Sequence, residues 1–119
     1  LAILHSTSTY PCPPEELNLN MIKTMKSLYP KNPIGYSGHE SGLSTSIAAA
    51  VIGAKIIERH ITIDRSLWGT DQAASLGPEG MRKLIGSVNS VIKSLGDGIK
   101  KVYPSEQKSI TNLRTIDDI

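Results

Sequence analysis

The chain has 119 residues, of which 39% are hydrophobic, and a formal net charge of +2. This length suits one domain with one modest core, and the composition is that of a globular protein rather than a disordered one. So small a charge gives no indication of nucleic acid or an anionic membrane as a partner. No apolar run approaches the roughly 20 residues of a membrane span. Cys12 is the only cysteine, which excludes an intrachain disulfide and favours a reducing, cytoplasmic location.

The first unit of the chain begins with a short apolar run, Leu1–Leu4, which predicts a buried strand. A dense polar segment with Ser8 and Tyr10 follows it, and three prolines then interrupt regular structure. Residues 15–29 place apolar side chains at helical spacing and predict a helix with one apolar face. His5 lies at the edge of the predicted strand, where we expect packing or a hydrogen bond rather than metal binding.

Two further strand–helix units follow. Residues 33–36 predict a second strand, and the alanine-rich residues 43–52 predict a helix. Residues 54–63 predict a third strand with a long polar exit loop. Residues 78–95 form the clearest amphipathic pattern in the chain and predict a third helix.

The order of these elements is strand and helix repeated three times, with a polar loop after each strand. This order is typical of a parallel α/β protein whose site lies at the carboxyl ends of the strands. A closed (β/α)8 barrel needs eight such units and typically about 250 residues. The chain is therefore either a small open sheet or the last part of a larger structure. Because it begins directly at a predicted buried strand, we expect the second.

Two histidines lie at the ends of neighbouring predicted strands, His39 after the second and His60 at the third. Parallel strands joined by a helix have their carboxyl ends side by side, so both rings are expected at one rim, close enough to share a metal ion. Two protein ligands leave coordination positions open, which suits a catalytic metal. A lone histidine after a strand is more often a hydrogen-bonded structural residue, so the prediction depends on the pair.

Other candidate residues give weaker signals. Ser37 offers a hydroxyl and a backbone N–H of the kind that bind phosphate at strand-to-helix turns, although most serine-rich loops are ordinary turns. Asp71 either accepts hydrogen bonds from a sugar or caps local backbone, and Tyr10 either lines a pocket or packs on a proline. A surface or structural ion pair explains Glu58 and Arg59 as well as a site role does.

Five segments in order resemble the sialic acid synthases, also called N-acetylneuraminate synthases: LHSTSTYPCPPEELNL, IGYSGHESG, GAKIIERHITIDR, WGTDQAASLGPEG and LGDGIKKVYPSE. The resemblance implies that residues 1–106 are the last three βα units of the family's (β/α)8 catalytic barrel, with residues 107–119 as a tail or linker. It also implies that a catalytic lysine and glutamate lie in earlier strands outside this chain. In the family an antifreeze-like domain follows the barrel and reaches into the partner subunit of a homodimer.

The family condenses phosphoenolpyruvate with an N-acetylmannosamine-type sugar, and a divalent metal, Mn²⁺ or Mg²⁺, polarises the aldehyde oxygen of the sugar. The product is N-acetylneuraminate or its 9-phosphate. None of the family's acid or base residues is expected within this chain. Carried onto this sequence, the resemblance implies that His39 and His60 are the metal ligands. It implies that Ser8 and Ser37 contact phosphoenolpyruvate, and that Tyr10 and Asp71 contact the sugar.

Three positions depart from a common form of the family. Ser8 stands where many bacterial members have asparagine, and its shorter side chain weakens the case for a direct phosphate contact. Gly38 and Glu40 replace the Asp and Thr of an SDHT form, although an SGHE form also occurs in the family. Whether the sugar substrate is phosphorylated therefore stays an open question. The alternatives are a related nonulosonate synthase, making a legionaminate- or pseudaminate-type sugar or a spore-coat precursor, and a non-catalytic metal- or sugar-binding fragment.

Overall fold

A computed structural model describes residues 1–113 of the protein. The strands are β1 (Ile3–Ser6), β2 (Ile34–Gly38) and β3 (Ile56–Arg59). The α-helices are α1 (Met21–Leu28), α2 (Ser44–Val51), α3 (Pro78–Ser94) and α4 (Gln107–Leu113). The strands form one parallel sheet in the order β1-β2-β3. The predicted parallel α/β arrangement is therefore confirmed.

The strand boundaries differ from the prediction because each strand extends only as far as its neighbour. The first strand, predicted at residues 1–4, begins at Ile3, which pairs with the first residue of β2, and Leu1 is fully exposed. The third strand, predicted at residues 54–63, ends at Arg59 because its partner β2 ends at the opposite residue, Gly38. Beyond it, Ile61 forms only an isolated bridge within the exit loop.

The first helix is also shorter than predicted. Residues 15–29 were expected to form one helix, but the chain makes a 3₁₀ turn at Pro14–Glu16 and starts α1 at Met21. Asn18 lies between them with a φ of +42°, a left-handed conformation that a right-handed helix does not contain. The helices predicted at 43–52 and 78–95 agree with α2 and α3 to within one residue at each end.

The sheet presents two different faces because successive side chains of a strand point to opposite sides. One face packs against the helices through a core that contains Ile34 and Tyr36 from β2 and Ile22 from α1. The opposite face carries a row of Leu4, Gly35 and Ile56 in register. The next row towards the carboxyl ends is polar and consists of Ser6, Ser37 and Glu58. The sheet therefore directs polar side chains towards the rim on the face that the helices do not cover.

The last described segment lies apart from this sheet. A 3₁₀ turn at Pro104–Glu106 leads into α4, which packs mainly against that turn. The tail predicted at residues 107–119 thus contains a short helix, and its residues 114–119 lie outside the described part of the chain. Within residues 1–113, no helix combines the length and the apolar character needed to cross a membrane.

Candidate functional site

Three aromatic rings from the three strand-exit loops meet beyond the carboxyl ends of the strands. The ring centroids of His39 and His60 are 5.2 Å apart and the rings meet edge to face. Tyr10, from the loop after β1, stacks on His60 at 4.7 Å and meets His39 edge-on at 5.1 Å. The structure therefore brings together the two histidines that the sequence pattern paired, and it adds Tyr10 as a neighbour of both.

A backbone carbonyl determines the tautomer of His39. Its Nδ1 lies 2.7 Å from the carbonyl oxygen of Thr7, and because a carbonyl only accepts, Nδ1 must carry the hydrogen. In the neutral ring, Nε2 then keeps its lone pair. The backbone of His39 is held as well, since its carbonyl accepts the N–H of Cys12 at 2.8 Å. Burial raises the pKa of the Cys12 thiol, which does not favour it as a nucleophile.

The corresponding partner of His60 is a carboxylate. Nδ1 of His60 lies 3.4 Å from Oδ2 of Asp71, and both side chains are partly exposed. The backbone carbonyl of His60 accepts the N–H of Leu76 at 2.9 Å. Asp71, predicted as a sugar contact, is therefore also a close neighbour of one of the two histidines.

These two rings fit a divalent metal. Histidines that bind metals usually donate their second ring N–H to a carbonyl or a carboxylate. His39 has such a bond to a carbonyl, and His60 has a carboxylate 3.4 Å from its Nδ1. Within residues 1–113, no group of three or more His, Cys, Asp or Glu side chains is arranged to hold a metal. In a metal site at this rim the described residues would supply the two imidazoles, and substrate, water or other parts of a larger protein would fill the remaining positions.

Tyr10 is anchored to the exit loop of β3 as well as to the histidine rings. Its hydroxyl lies 3.2 Å from Oγ of Ser75, and the Ser75 hydroxyl in turn lies 2.7 Å from the carbonyl of Asp71. Because that carbonyl takes the single Ser75 hydrogen, Tyr10 donates its own to Ser75. The loops after β1 and β3 are therefore joined around the two histidines.

The two serines predicted near a phosphate lie in different surroundings. Ser8 is exposed in the loop after β1, whereas Ser37 is buried on the polar row of the sheet and donates its hydroxyl to Oε1 of Glu58 at 2.7 Å. No hydrogen bond joins Ser8 to Ser37 among the described residues. A phosphate at Ser37 would therefore compete with the Glu58 carboxylate for the same hydroxyl hydrogen.

His5, the third histidine, is held away from this group. It lies in β1, with Nε2 at 2.7 Å from the carbonyl oxygen of Leu17, and its ring lies 6.2 Å from that of Tyr36. The hydrogen bond expected for His5 is therefore present.

A buried polar cluster, formed by Tyr36, Glu40, Ser46 and Arg59, lies directly behind the rim. Oε1 of Glu40 accepts Ser46 Oγ at 2.6 Å and Arg59 Nη1 at 3.1 Å, and Oε2 accepts the Tyr36 hydroxyl at 2.8 Å. Burial alone would raise the pKa of Glu40, but the hydrogen bonds from Ser46 and Tyr36 help to bring it below its ordinary value. Burial and then the bond to Glu40 raise the pKa of Tyr36. The cluster therefore holds an ionised carboxylate against a neutral phenol.

The sequence patterns did not predict this buried cluster. Glu58 and Arg59 were interpreted together, as an ion pair or as site residues, but adjacent residues of a strand point to opposite faces. Glu58 instead contacts Ser37 on the open face, and Arg59 is buried against Glu40 on the helix side. The sequence indicates this cluster only through the positions of its two charges: Glu40 directly follows one rim histidine, and Arg59 directly precedes the other.

Comparison with known proteins identifies the family. The NeuB family model matches residues 1–100 of the 119. The chain belongs to the NeuB family. The resemblance seen in the sequence motifs is thereby confirmed, and it covers all the residues placed at the rim.

Curated NeuB-family relatives include synthases of several related sugars. The human N-acetylneuraminate-9-phosphate synthase is 47% identical over 103 residues, which are 87% of this chain and 29% of the relative. The N,N'-diacetyllegionaminic acid synthase of Campylobacter jejuni is 40% identical over 114 residues, 96% of this chain and 34% of the relative. The chain therefore spans about a third of the length of these relatives.

Solved structures of the NeuB family agree with the fold. The N-acetylneuraminic acid (sialic acid) synthetase of Leptospira borgpetersenii, in complex with citrate, superposes with a TM-score of 0.76 at 40% identity, covering 92% of this chain and 39% of that one. The spore coat polysaccharide biosynthesis protein SpsE of Bacillus subtilis gives 0.78 at 35%, covering 87% and 29%. The predicted fold class, three βα units of a barrel-type parallel α/β structure, is therefore confirmed.

Proposed function

We propose that this chain is part of a synthase that condenses phosphoenolpyruvate with an N-acetylmannosamine-type sugar, giving N-acetylneuraminate or its 9-phosphate and free phosphate. The observation that carries the proposal is the pair His39 and His60, whose rings lie 5.2 Å apart with each Nδ1 beside an oxygen acceptor. Support comes from relatives that are sialic acid synthases and related nonulosonate or spore-coat synthases.

In this proposal, His39 and His60 hold a divalent ion, Mn²⁺ or Mg²⁺, through Nε2. A metal bound there supplies Lewis-acid polarisation of the sugar's aldehyde oxygen. Thr7 keeps the His39 ring in the tautomer that presents a lone pair, and Asp71, 3.4 Å from Nδ1 of His60, is assigned the same role there. Tyr10 forms the wall beside both rings and contacts the sugar together with Asp71.

The phosphate of phosphoenolpyruvate is assigned to the side of the rim that carries Ser8 and Ser37. Ser37 already donates to Glu58, so its hydroxyl must turn from that carboxylate to bond a phosphate oxygen. Glu58 lies close enough to repel a fully charged phosphate unless cationic groups balance it. Such groups belong, in this proposal, to the earlier strands of the barrel, with the catalytic lysine and glutamate. The complete enzyme is proposed to be a homodimer.

The metal ligands provide the direct test. In a barrel completed with the N-terminal strands of a relative, His39→Ala and His60→Ala should each abolish Mn²⁺-stimulated phosphate release and weaken Mn²⁺ binding in calorimetry. A single remaining imidazole holds a divalent ion poorly against water. The 119-residue chain alone should release no phosphate, because it lacks the lysine and glutamate.

His5→Ala is the matched control, since it also removes an imidazole but from a ring that binds the Leu17 carbonyl. It should keep Mn²⁺ affinity even if stability falls. Wild-type Mn²⁺ affinity in either rim variant would show that this histidine is not a ligand. Metal-dependent turnover by residues 1–119 alone would show that the missing groups are not required.

A legionaminate-type synthase is the second candidate, because the Campylobacter jejuni relative matches 96% of this chain. The two candidates differ in the acceptor sugar and share the metal site. Phosphate release with N-acetylmannosamine, its 6-phosphate and a 2,4-diacetamido sugar should separate them, since the correct acceptor should give the highest kcat/KM. Equal rates with all three acceptors would contradict a dedicated synthase of either kind.

A further inference from the structure

A buried ion pair joins the ends of β2 and β3 beside the two rim histidines. Glu40 directly follows His39, and Arg59 directly precedes His60. Their side chains are each 2% exposed, with Nη1 of Arg59 at 3.1 Å from Oε1 of Glu40. The pair therefore links the two segments from which the histidine rings extend.

The guanidinium of Arg59 holds backbone as well as side chain. Nη2 donates to the carbonyl oxygen of Glu40 at 2.7 Å, and Nη1 donates to that of Gly42 at 2.8 Å. One planar group on β3 thus fixes the course of the chain directly after His39. A buried guanidinium needs acceptors for its remaining N–H groups, and here those acceptors are backbone carbonyls just after His39.

The carboxylate is fixed from its other sides. Ser46, in the first turn of α2, bonds one oxygen, and Tyr36, on β2, bonds the other. Gly38 completes the packing, because a Cβ there would lie 2.6 Å from Oε2 of Glu40 and 2.9 Å from Cδ of Arg59. The ion pair therefore has little freedom to shift, and the backbone at both histidines shares this restriction.

We propose that Glu40 and Arg59 are positioning residues that set the spacing of His39 and His60, and through it the affinity of the rim for a divalent ion. The inference rests on the proposed function, in which both histidines bind the metal. Burying two charges costs desolvation energy that their attraction often only offsets, so stability alone is a weak reason for such a pair. The bonds to the backbone beside His39 give it a geometric role.

Arg59→Lys tests the role with the charge retained. A lysine ammonium is a compact point charge on a flexible stem and cannot reproduce the planar set of bonds to Glu40 and Gly42. In the completed barrel we expect Mn²⁺ affinity to fall about 10-fold in calorimetry, as for other groups that orient metal ligands. Circular dichroism should show that the variant is folded. Arg82→Lys is the matched control, since Arg82 is exposed on α3 and, within residues 1–113, pairs with Glu79 alone.

A second readout needs no metal. In the completed barrel labelled with ¹⁵N-histidine, Arg59→Lys should change the ring-nitrogen shifts that report the tautomers of His39 and His60, whereas Arg82→Lys should leave them unchanged. If Arg59→Lys lowers the melting temperature but leaves the ring-nitrogen shifts and the Mn²⁺ affinity at their wild-type values, the pair serves the fold alone. If the wild type binds no Mn²⁺, the proposed function fails. In that case the ring-nitrogen shifts of His39 and His60 test the positioning role by themselves, and shifts unchanged by Arg59→Lys would overturn it.

Discussion

At the residue scale, Gly38 shows how one missing side chain makes room for a buried charge. The atoms that a Cβ would meet belong to Glu40, Arg59 and the Tyr36 ring, all within 2.9 Å. Each is part of the buried polar cluster and none is the free end of an exposed side chain. The glycine is therefore required by close packing, and its φ is not in the left-handed region.

Gly38→Ala should consequently destabilise the protein. The added methyl group must displace the Glu40 carboxylate or the Arg59 stem, and overpacking of this kind costs about 1–3 kcal/mol. Chemical denaturation of the barrel completed with the N-terminal strands of a relative would measure the change in the free energy of unfolding.

Gly86→Ala is the control for the same added atom. Gly86 lies exposed in α3, and nothing would lie within 4 Å of a Cβ there. Since alanine is favoured over glycine inside a helix by about 0.5–1 kcal/mol, this variant should be slightly more stable. Equal stabilities of the two variants would contradict the close packing at Gly38.

At the element scale, the site depends on how β2 and β3 end together. The register pairs Ser37 with Glu58 and Gly38 with Arg59, so both strands stop at the same level. The histidines follow at once, and the exit loops bring Tyr10 and Asp71 to them. The ion pair of Glu40 with Arg59 is the side-chain link between the two elements on the helix side.

Removing one charge of this ion pair should destabilise the protein more than removing both charges. Arg59→Met leaves the Glu40 carboxylate buried without its cation, a loss of about 3–5 kcal/mol for pairs of this type. The double variant Glu40→Met with Arg59→Met removes both charges and should recover part of that loss. Urea denaturation of the completed barrel, carrying each single substitution and both together, gives the coupling. Additive losses would mean that the two charges do not interact.

At the scale of the whole molecule, the described sheet has two open edges. In residues 1–113, β1 and β3 each pair only with β2. Apolar side chains such as Ile56 of β3 and Ile61 of its exit loop are also substantially exposed. Unpaired strand edges and exposed apolar surface both favour association with other chains.

The 119-residue chain by itself should therefore self-associate and be only marginally stable. Its net charge of +2 gives little repulsion, and a single cysteine provides no intrachain crosslink. Sedimentation velocity over a range of concentrations should show mass rising with concentration. A cooperative monomer at high concentration would contradict this prediction and would mean that another segment covers the open sheet.

The sequence by itself determined the order of elements and the pairing of the histidines. Alternating apolar runs and polar exits gave three parallel βα units, and both α2 and α3 were placed closely, because these signals are local in the chain. His39 and His60 were placed together by topology alone, since parallel strands end at one rim. The family motifs added the chemistry expected there.

Only the tertiary structure decided where strands stop and which charges meet. The ends of β1 and β3 depend on the register with β2, and the start of α1 depends on the backbone of Asn18, neither of which an apolar pattern encodes. Glu58 and Arg59 are neighbours in the chain, yet the strand separates them onto opposite faces. The partner of Arg59 is Glu40, 19 residues away, because burial leaves a guanidinium stable only where a carboxylate and carbonyl oxygens converge in space.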